Sequence, residues 1–371
     1  MLYNLDTNSL DIKNYQQSKY FLNLKFQDIH TIMDQFGKKK WEIINDDLYI
    51  KYNNNKKYHS VSQVIRIKDL EGTYILKELP SYCSNLDYVN KILEFQRIIV
   101  SKNIPIPPFF KTVKGKNYVL LNKEGRNFLY TLQEFIPGTK WMAQKEQIEK
   151  SAILLASFHQ ISKELYSESE RIDLPYKNIF DDIENLTNIA FTELSHRLKK
   201  PFKKEEENSL IDFFKNCGDN IIDIKNKLIL NDYRSIIIYV HGDFNPSNLI
   251  FNCSDISAVI DFDNCGIDNP INDIIRFILH ICYFNFDNNT IPDFEVAGFF
   301  LRSYFQHGFL KIQNIIEFFP LVLRAIAIEL SIIYILRGYF TSYQACHQFF
   351  DIIKNVEQNI MLIINRDLIN E

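Results

Sequence analysis

The hydrophobic pattern of the chain changes once, at Pro137-Gly138, and this change constrains the fold more than any other feature. Before it, alternating or β-branched residues predict short strands at 41–52, 61–67, 73–79, 117–122 and 128–135. A helix is predicted between the third and fourth strands, at 86–101, where a proline-rich run ends it. The first part, 1–136, is therefore predicted to be a β-rich lobe with one main helix, preceded by an extension to about residue 25.

After Pro137-Gly138 the pattern becomes helical. A strongly periodic helix is predicted at 146–159, and helical segments dominate to the end of the chain, apart from short strands within 236–263. The second part, 137–371, is thus predicted to be mostly α-helical, and the fold class is α+β.

Glycine is scarce, with 11 among 371 residues, and the closest glycines are ten positions apart in the sequence. Neither the G-x-G-x-x-G turn of dinucleotide-binding domains nor the G-x-x-x-x-G-K-[ST] phosphate loop can be present. If the chain handles phosphate, it does so by another route.

Charge and cysteine usage indicate an ordinary cytoplasmic protein. Lys and Arg number 42 and Asp and Glu 46, a net charge of −4, so no nucleic-acid partner is expected. The six cysteines are dispersed without a C-x-x-C pair, as is typical of free thiols in a reducing compartment. The polar N-terminus lacks the apolar core of a signal peptide. The most apolar stretch, Leu321 to Phe340, contains three charged residues, so we expect no membrane partner.

The residues that indicate chemistry lie between Val240 and Phe277. Asp243 follows a short apolar strand, and Asn248 comes five residues later. Two further apolar runs, 249–251 and 258–260, predict a hairpin that brings Asn248 beside Asp261.

An amide oxygen and a carboxylate placed in this way suit Mg²⁺, which prefers oxygen ligands and completes its shell with water and phosphate. Asp243 is then left to accept a proton from an attacking hydroxyl. These are the parts that phosphoryl transfer requires in kinases.

The H-G-D-x-x-x-x-N element with the later I-D-F-D and P-x-x-D resembles the aminoglycoside phosphotransferase / choline kinase superfamily of small-molecule kinases. The resemblance implies a bilobal, protein-kinase-like fold with an antiparallel N-lobe sheet and a helical C-lobe. It implies Asp243 as the catalytic base and Asn248 and Asp261 as metal ligands. His241 and Asp273 would support the catalytic loop.

The resemblance extends into the first part of the chain, where it implies the nucleotide-binding residues. Lys77 would hold the α- and β-phosphates, and Glu94 would pair with that lysine from the helix. Glu134 and Ile136, in the L-Q-E-F-I-P-G segment, would meet the adenine edge through their backbone. The turn that covers the phosphates has no glycine, and Ser60 or Ser62 would take part in it.

Several residues admit a plainer interpretation. The acidic run 181–184 indicates either an attractive surface for a cationic substrate or a solvated helix face. His159 and His280 are interpreted as core histidines. Asp263 is either an acid supporting the metal motif or a solvated residue at a hairpin end.

The resulting hypothesis is an ATP- and Mg²⁺-dependent phosphotransferase that moves the γ-phosphate to a hydroxyl of a small molecule. Amino sugars or antibiotics, amino alcohols, homoserine and sugars are all open as acceptors. The alternative is a kinase-like structural or binding protein of the spore-coat kind. The acceptor, the choice between ATP and GTP, and the oligomeric state are not predicted.

Overall fold

The computed structural model describes residues 24, 26–44, 64–79, 86–123, 125–167, 172, 174, 220, 222–228, 233–283, 294–336 and 343–368. These residues form two units. The first unit consists of the described part of Tyr3–Thr139 together with Ser257–Asp263. The second consists of the described parts of Lys140–Ile256 and Asn264–Glu371. The predicted lobe boundary after residue 136 stays a prediction.

The first unit is built on an antiparallel sheet. Its strands are β1 (Trp41–Ile43), β2 (Val64–Asp69), β3 (Thr73–Glu78), β4 (Val119–Lys123) and β5 (Arg126–Glu134). Their order in the sheet is β1-β2-β3-β5-β4. Tyr74 and Leu76 of β3 belong to the core of this unit, while Ile75 and Lys77 lie on the other side of the strand, where Lys77 is also buried.

Two helices accompany this sheet. Helix α1 (Phe26–Gln35) places Ile29, Ile32 and Met33 in one core cluster with residues of β2, β3 and β5. It stops before Gly37, whose φ of +77° fits a helix C-cap. Helix α2 (Leu86–Ser101) has the predicted bounds and buries one face.

The second unit is mostly helical. Its helices are α3 (Lys145–Ser167), α4 (Ile271–Tyr283), α5 (Phe294–His307), α6 (Ile312–Leu336) and α7 (Tyr343–Ile363). Helix α3 packs along α5, and the rings of Phe277 and Phe300 stack between α4 and α5 with centroids 4.3 Å apart. The α+β class is therefore confirmed, with an antiparallel sheet first and helices afterwards.

The described residues of the second half of the chain include four short strands, of which the first three lie in the predicted range 236–263 and the fourth lies beyond it. They are β6 (Ile238–Val240), β7 (Leu249–Asn252), β8 (Asp255–Val259) and β9 (Gly266–Asp268). β6 pairs antiparallel with β9, and β7 and β8 form the predicted hairpin. The chain passes from the second unit to the first within β8.

The described part of the apolar stretch, up to Leu336, lies in α6, where Val322, Leu323 and residues 325–329 are buried. Glu329, near the middle of the stretch, is 3% exposed and forms an ion pair with Arg276 of α4. Among the described helices, none is long and apolar enough to cross a membrane. The described cysteines, Cys253, Cys265 and Cys282, form no disulfide.

Candidate active site

The strand β6 delivers Asp243 through a backbone turn that only glycine fits. Gly242 has a φ of +78°, and a Cβ built on it would lie 2.1 Å from the carbonyl oxygen of Asn264. Any other residue at this position would both occupy the left-handed region and overlap the backbone of Asn264. This explains the residue before Asp243 in the H-G-D element.

Asp273, near the start of α4, holds the same turn by hydrogen bonds to its backbone. Its two carboxylate oxygens accept the backbone N–H groups of His241 and Gly242, both at 2.8 Å. Burial favours the neutral acid, but the hydrogen bond with His159 and the nearby charges outweigh burial, so the pKa of the Asp273 carboxyl lies below its usual range. An ionised, fully buried carboxylate thus holds the backbone that precedes Asp243.

The carboxylate of Asp243 is oriented by neutral amides. Asn245 donates through Nδ2 to Asp243 Oδ1 at 3.0 Å, and Asn248 donates to Oδ2 at 3.2 Å and to the backbone carbonyl at 2.8 Å. Asn245 also caps the short 3₁₀ turn 246–248 by accepting the N–H of Ser247. The half-buried Asp243 side chain is therefore fixed by residues within five positions of it in the sequence.

His159 is a core histidine, as interpreted, and its two ring nitrogens also make contacts that the sequence did not predict. It is fully buried on α3, with Nδ1 2.8 Å from the hydroxyl of Tyr304 and Nε2 3.3 Å from Asp273. It therefore links two helices to the carboxylate under the catalytic turn. The signal available in the sequence was its position at the end of the L-A-S-F-H run, 155–159, which resembles a helix segment of the same kinase superfamily.

Arg276 was also missed. It is buried on α4, where it donates to Asn272 at 2.9 Å and to Glu329 at 2.7 Å. Its guanidinium also interacts electrostatically with the carboxylate of Asp243. Burial lowers its pKa, but the attraction of Glu329 and Asp243 is stronger and raises it. A permanent cation thus lies near the carboxylate of Asp243. The neighbours of Arg276 in the sequence are mostly apolar, and no motif there indicated a functional arginine.

Lys77 is a buried charged residue of the first unit. It is 7% exposed on β3, and its Nζ lies 2.6 Å from Asp261 Oδ1 and 2.8 Å from Asp263 Oδ2. Burial disfavours the ammonium, but the two carboxylates outweigh this and raise the pKa of Lys77. The lysine is therefore a fixed cation.

A pocket in the same unit opens beside Lys77. It is bounded by β3, α2, β5 and the 261–263 segment, and its polar lining residues are Lys77, Gln96, Thr131, Gln133, Asp261 and Asp263. Asp261 has a φ of +68°, a conformation that is uncommon outside glycine and often found at functional positions. Thr131, at the back of the pocket, is fully buried, and its hydroxyl bonds no described residue.

Glu94 and Lys77 are not brought together. The side chain of Glu94 is 47% exposed and forms an ion pair with Arg97, which lowers the pKa of the Glu94 carboxyl. The face of α2 that lines the pocket instead presents Val89, Ile92, Leu93 and Gln96. The reason is helical register, because position 94 falls between the pocket-facing positions.

Two backbone N–H groups at the end of β5 are already hydrogen-bonded. The N–H of Glu134 donates to Pro108 and that of Phe135 to Thr73, both at 2.9 Å. The N–H of Ile136 bonds no described residue. Adenine recognition by Glu134 and Ile136 stays a prediction. Ser60, Ser62 and the acidic run 181–184 lie outside the described residues.

Residues 59–307, more than half of the chain, match a family described as "Phosphotransferase enzyme family". The chain belongs to this family. The resemblance to small-molecule kinases is thereby confirmed, as is the prediction of an enzyme, a small-molecule phosphotransferase.

Solved structures confirm the fold of this phosphotransferase. An amicoumacin kinase in complex with AMP-PNP and Ca²⁺ is 16% identical with a TM-score of 0.62, covering 93% of this chain and 96% of the other. A microcompartment-associated aminopropanol kinase is 12% identical with a TM-score of 0.59, covering 87% and 94%. A Plasmodium vivax ethanolamine kinase is 16% identical with a TM-score of 0.51, covering 93% of each chain. A search of curated proteins finds no match.

The donor chemistry fits the metal that the family implies. Asp261 offers a carboxylate that is one-third exposed, and the amide oxygen of Asn248 accepts no hydrogen bond from a described residue. Among the described residues, no three His, Cys, Asp or Glu side chains form a group that would hold a metal. A site of few protein oxygens suits Mg²⁺ better than a transition metal. Asn248 and Asp261 belong to different units, so their closeness stays a prediction.

Proposed function

We propose that this phosphotransferase moves the γ-phosphate of ATP to a hydroxyl group of a small molecule. The observation that carries the proposal is the fixed turn at Asp243, whose backbone is held by Asp273 and whose carboxylate is oriented by Asn245 and Asn248. A carboxylate presented in this way can accept the proton of an incoming hydroxyl.

Asp243 would act mainly by orientation. The transition state of phosphoryl transfer is loose, so catalysis depends on placing the hydroxyl in line and on stabilising charge. The turn supports this role. Its glycine and the buried aspartate hold the backbone, and its two asparagines restrict the orientation of the carboxylate.

Lys77 would bind phosphate oxygens of the nucleotide. It is a buried, permanently charged ammonium on a central strand, which suits a point contact with phosphate. Asn248 and Asp261 would hold Mg²⁺, which, when bound, neutralises charge on the transferred phosphate.

The nucleotide would be ATP, with its adenine at the segment of Glu134 and Ile136. The complex of the amicoumacin kinase with AMP-PNP supports an adenine nucleotide. The backbone N–H of Ile136 is the donor that this segment offers to a base.

The acceptor would be a small hydroxyl compound of the amino sugar, antibiotic, amino alcohol, homoserine or sugar class. Solved relatives named for an antibiotic, for aminopropanol and for ethanolamine support this range. In each named case the compound is small.

A screen of acceptors by ADP release tests the proposal. The panel contains amino sugars, antibiotics, amino alcohols, homoserine and sugars, each with ATP and Mg²⁺. We expect one chemical class to raise ADP release far above the rate with water. Equal rates with every class, together with no thermal stabilisation by ATP and Mg²⁺, would favour a structural or binding protein.

A further inference from the structure

We propose that Asp263 is the positioning residue of Lys77, taking the place of a glutamate on helix α2. This inference rests on the proposed function, since it assigns Lys77 to nucleotide phosphate. Asp263 touches neither phosphate nor acceptor in this account, and it acts through the lysine.

The contact itself is buried and short. The side chain of Asp263 is 11% exposed, that of Lys77 is 9% exposed, and their charged atoms are 2.8 Å apart. A buried ammonium needs a carboxylate partner, because an unpaired charge at such a position is strongly unfavourable. Asp263 meets this requirement.

Asp261 also contacts Lys77, but its carboxylate is suited to a different task. Its side chain is 35% exposed, three times the exposed fraction of Asp263, and it is the candidate metal ligand of the segment. If Asp261 held a metal, its attraction for the lysine would be shared with that metal. Asp263 would then be the carboxylate that still orients Lys77.

Helix α2 supplies no competing acid. Its four positions that line the pocket are Val89, Ile92, Leu93 and Gln96, and none of them carries a charge. Glu94 turns toward solvent, where it pairs with Arg97 through Nε at 3.0 Å and through Nη2. The place that a helix glutamate would occupy beside Lys77 is therefore taken by an acid from another part of the chain.

A second contact connects α2 to the same segment. The hydroxyl of Tyr88 donates to the backbone carbonyl of Asp263 at 3.0 Å, and Tyr88 is buried. In a Lys–Glu arrangement, one ion pair connects strand and helix. Here Asp263 performs this connection in two parts, with its side chain on Lys77 and its carbonyl on Tyr88.

The test is direct binding of AMP-PNP with Mg²⁺, measured by calorimetry, so that no acceptor is needed. We expect Asp263→Asn to weaken binding about tenfold, because a charge-assisted contact to the lysine is lost. Asp263→Glu should recover part of the affinity. Asp87→Asn, an exposed Asp-to-Asn change on α2, is the matched control and should leave affinity unchanged.

A double-mutant cycle separates positioning from a general structural effect. If Asp263 acts through Lys77, Lys77→Met and Lys77→Met/Asp263→Asn bind AMP-PNP equally. Should Asp263→Asn fail to fold, the double variant removes the unpaired ammonium and is expected to fold. Additive losses in the double variant would overturn the proposal.

Two other results would also overturn it. One is a larger loss for Glu94→Gln than for Asp263→Asn, which would return the role to the helix. The other is a shift for Asp263→Asn in the Mg²⁺ concentration needed for half-maximal binding, which would make Asp263 a metal ligand. Asp243→Asn keeps the functions separate: retained phosphate transfer in that variant contradicts the proposed base and leaves the Lys77–Asp263 result standing.

Discussion

Two charged clusters among the described residues are held in opposite ways. Lys77 in the first unit is fixed by two carboxylates, Asp261 and Asp263, so charge balances charge. Asp243 in the second unit is oriented by the neutral amides of Asn245 and Asn248. Two charged residues of this unit act on the turn in other ways: Asp273 accepts the backbone N–H groups of the turn, and Arg276 acts at a distance through its charge.

This difference corresponds to the two proposed tasks. A group that meets phosphate must present charge, and the ion pairs keep Lys77 protonated in a buried position. A base that must accept a proton needs orientation without a cation bound directly to it, and amide donors supply this. We therefore expect changes in the first cluster to alter nucleotide affinity and changes in the second to alter the rate of transfer.

The largest expected effect separates these two outcomes. Asp243→Asn should lower kcat by about 10³-fold, because the proton acceptor is removed, and should change AMP-PNP affinity by no more than about twofold. Lys77→Met should show the reverse emphasis, with affinity for AMP-PNP reduced at least about tenfold. Calorimetry and initial rates measure both. If both variants showed the same ratio of affinity loss to rate loss, the proposed division of tasks between the two clusters would be wrong.

The turn before Asp243 gives the next test. Gly242→Ala places a Cβ 2.1 Å from a backbone oxygen at a φ of +78°, so we expect a loss of about 3 kcal/mol or more in unfolding free energy. Gly125→Ala is the matched control, because its φ is +80° but no atom lies within 4 Å of the added Cβ. The control should lose only about 1–2 kcal/mol, from backbone strain alone. Equal losses in urea unfolding would show that the contact with Asn264 is unimportant.

Removing the charge of Asp273 should lower kcat less than removing the proton acceptor does. Asp273→Asn leaves one oxygen to accept the N–H groups of His241 and Gly242, and it weakens the contact with His159. We expect kcat to fall about 10²-fold and AMP-PNP affinity to stay within about twofold, since the orientation of Asp243 is relaxed. A selective loss of nucleotide affinity would contradict the assignment.

The smallest effect concerns a second buried acid held by neutral donors. Asp268 accepts from the N–H of Asn269, from Asn272 and from Tyr233, and burial raises its pKa to about 7. Because the folded state then binds the proton more tightly than the unfolded state, Asp268 makes stability fall as pH rises from about 4 to about 7. Asp268→Asn removes this fall.

Thermal unfolding at about pH 5 and about pH 8 measures the change. The difference in melting temperature, pH 8 minus pH 5, should be more positive in Asp268→Asn than in the unaltered protein. An identical difference in both proteins would show that Asp268 ionises as in the unfolded chain.

Much of the site could be predicted because its contacts are local. Asp243 and Asn248 are five residues apart, and a strand followed by a glycine turn is enough to bring them together. Helix α2 has the predicted bounds, since polar residues precede it and prolines follow it. The hairpin of β7 and β8 is also as predicted. Its turn is shorter than the predicted runs 249–251 and 258–260 imply, because β8 already begins at Asp255.

The missed contacts have a common cause. His159 and Asp273 are 114 positions apart and Arg276 and Glu329 are 53 apart, so only tertiary packing brings each pair together. Glu94 does not contact Lys77 for another reason. A shift of one or two positions along a helix turns a side chain from the pocket to solvent. Propensity and motif spacing do not fix that rotation.

The most direct test of the account follows the phosphate itself. An acceptor identified by ADP release is incubated with γ-labelled ATP and Mg²⁺, using the unaltered chain and Asp243→Asn at matched nucleotide occupancy. We predict that label appears on the acceptor in amounts equal to the ADP formed, and that Asp243→Asn transfers almost none. Equal labelling by the two proteins, or ADP formed without a labelled acceptor, would contradict the account.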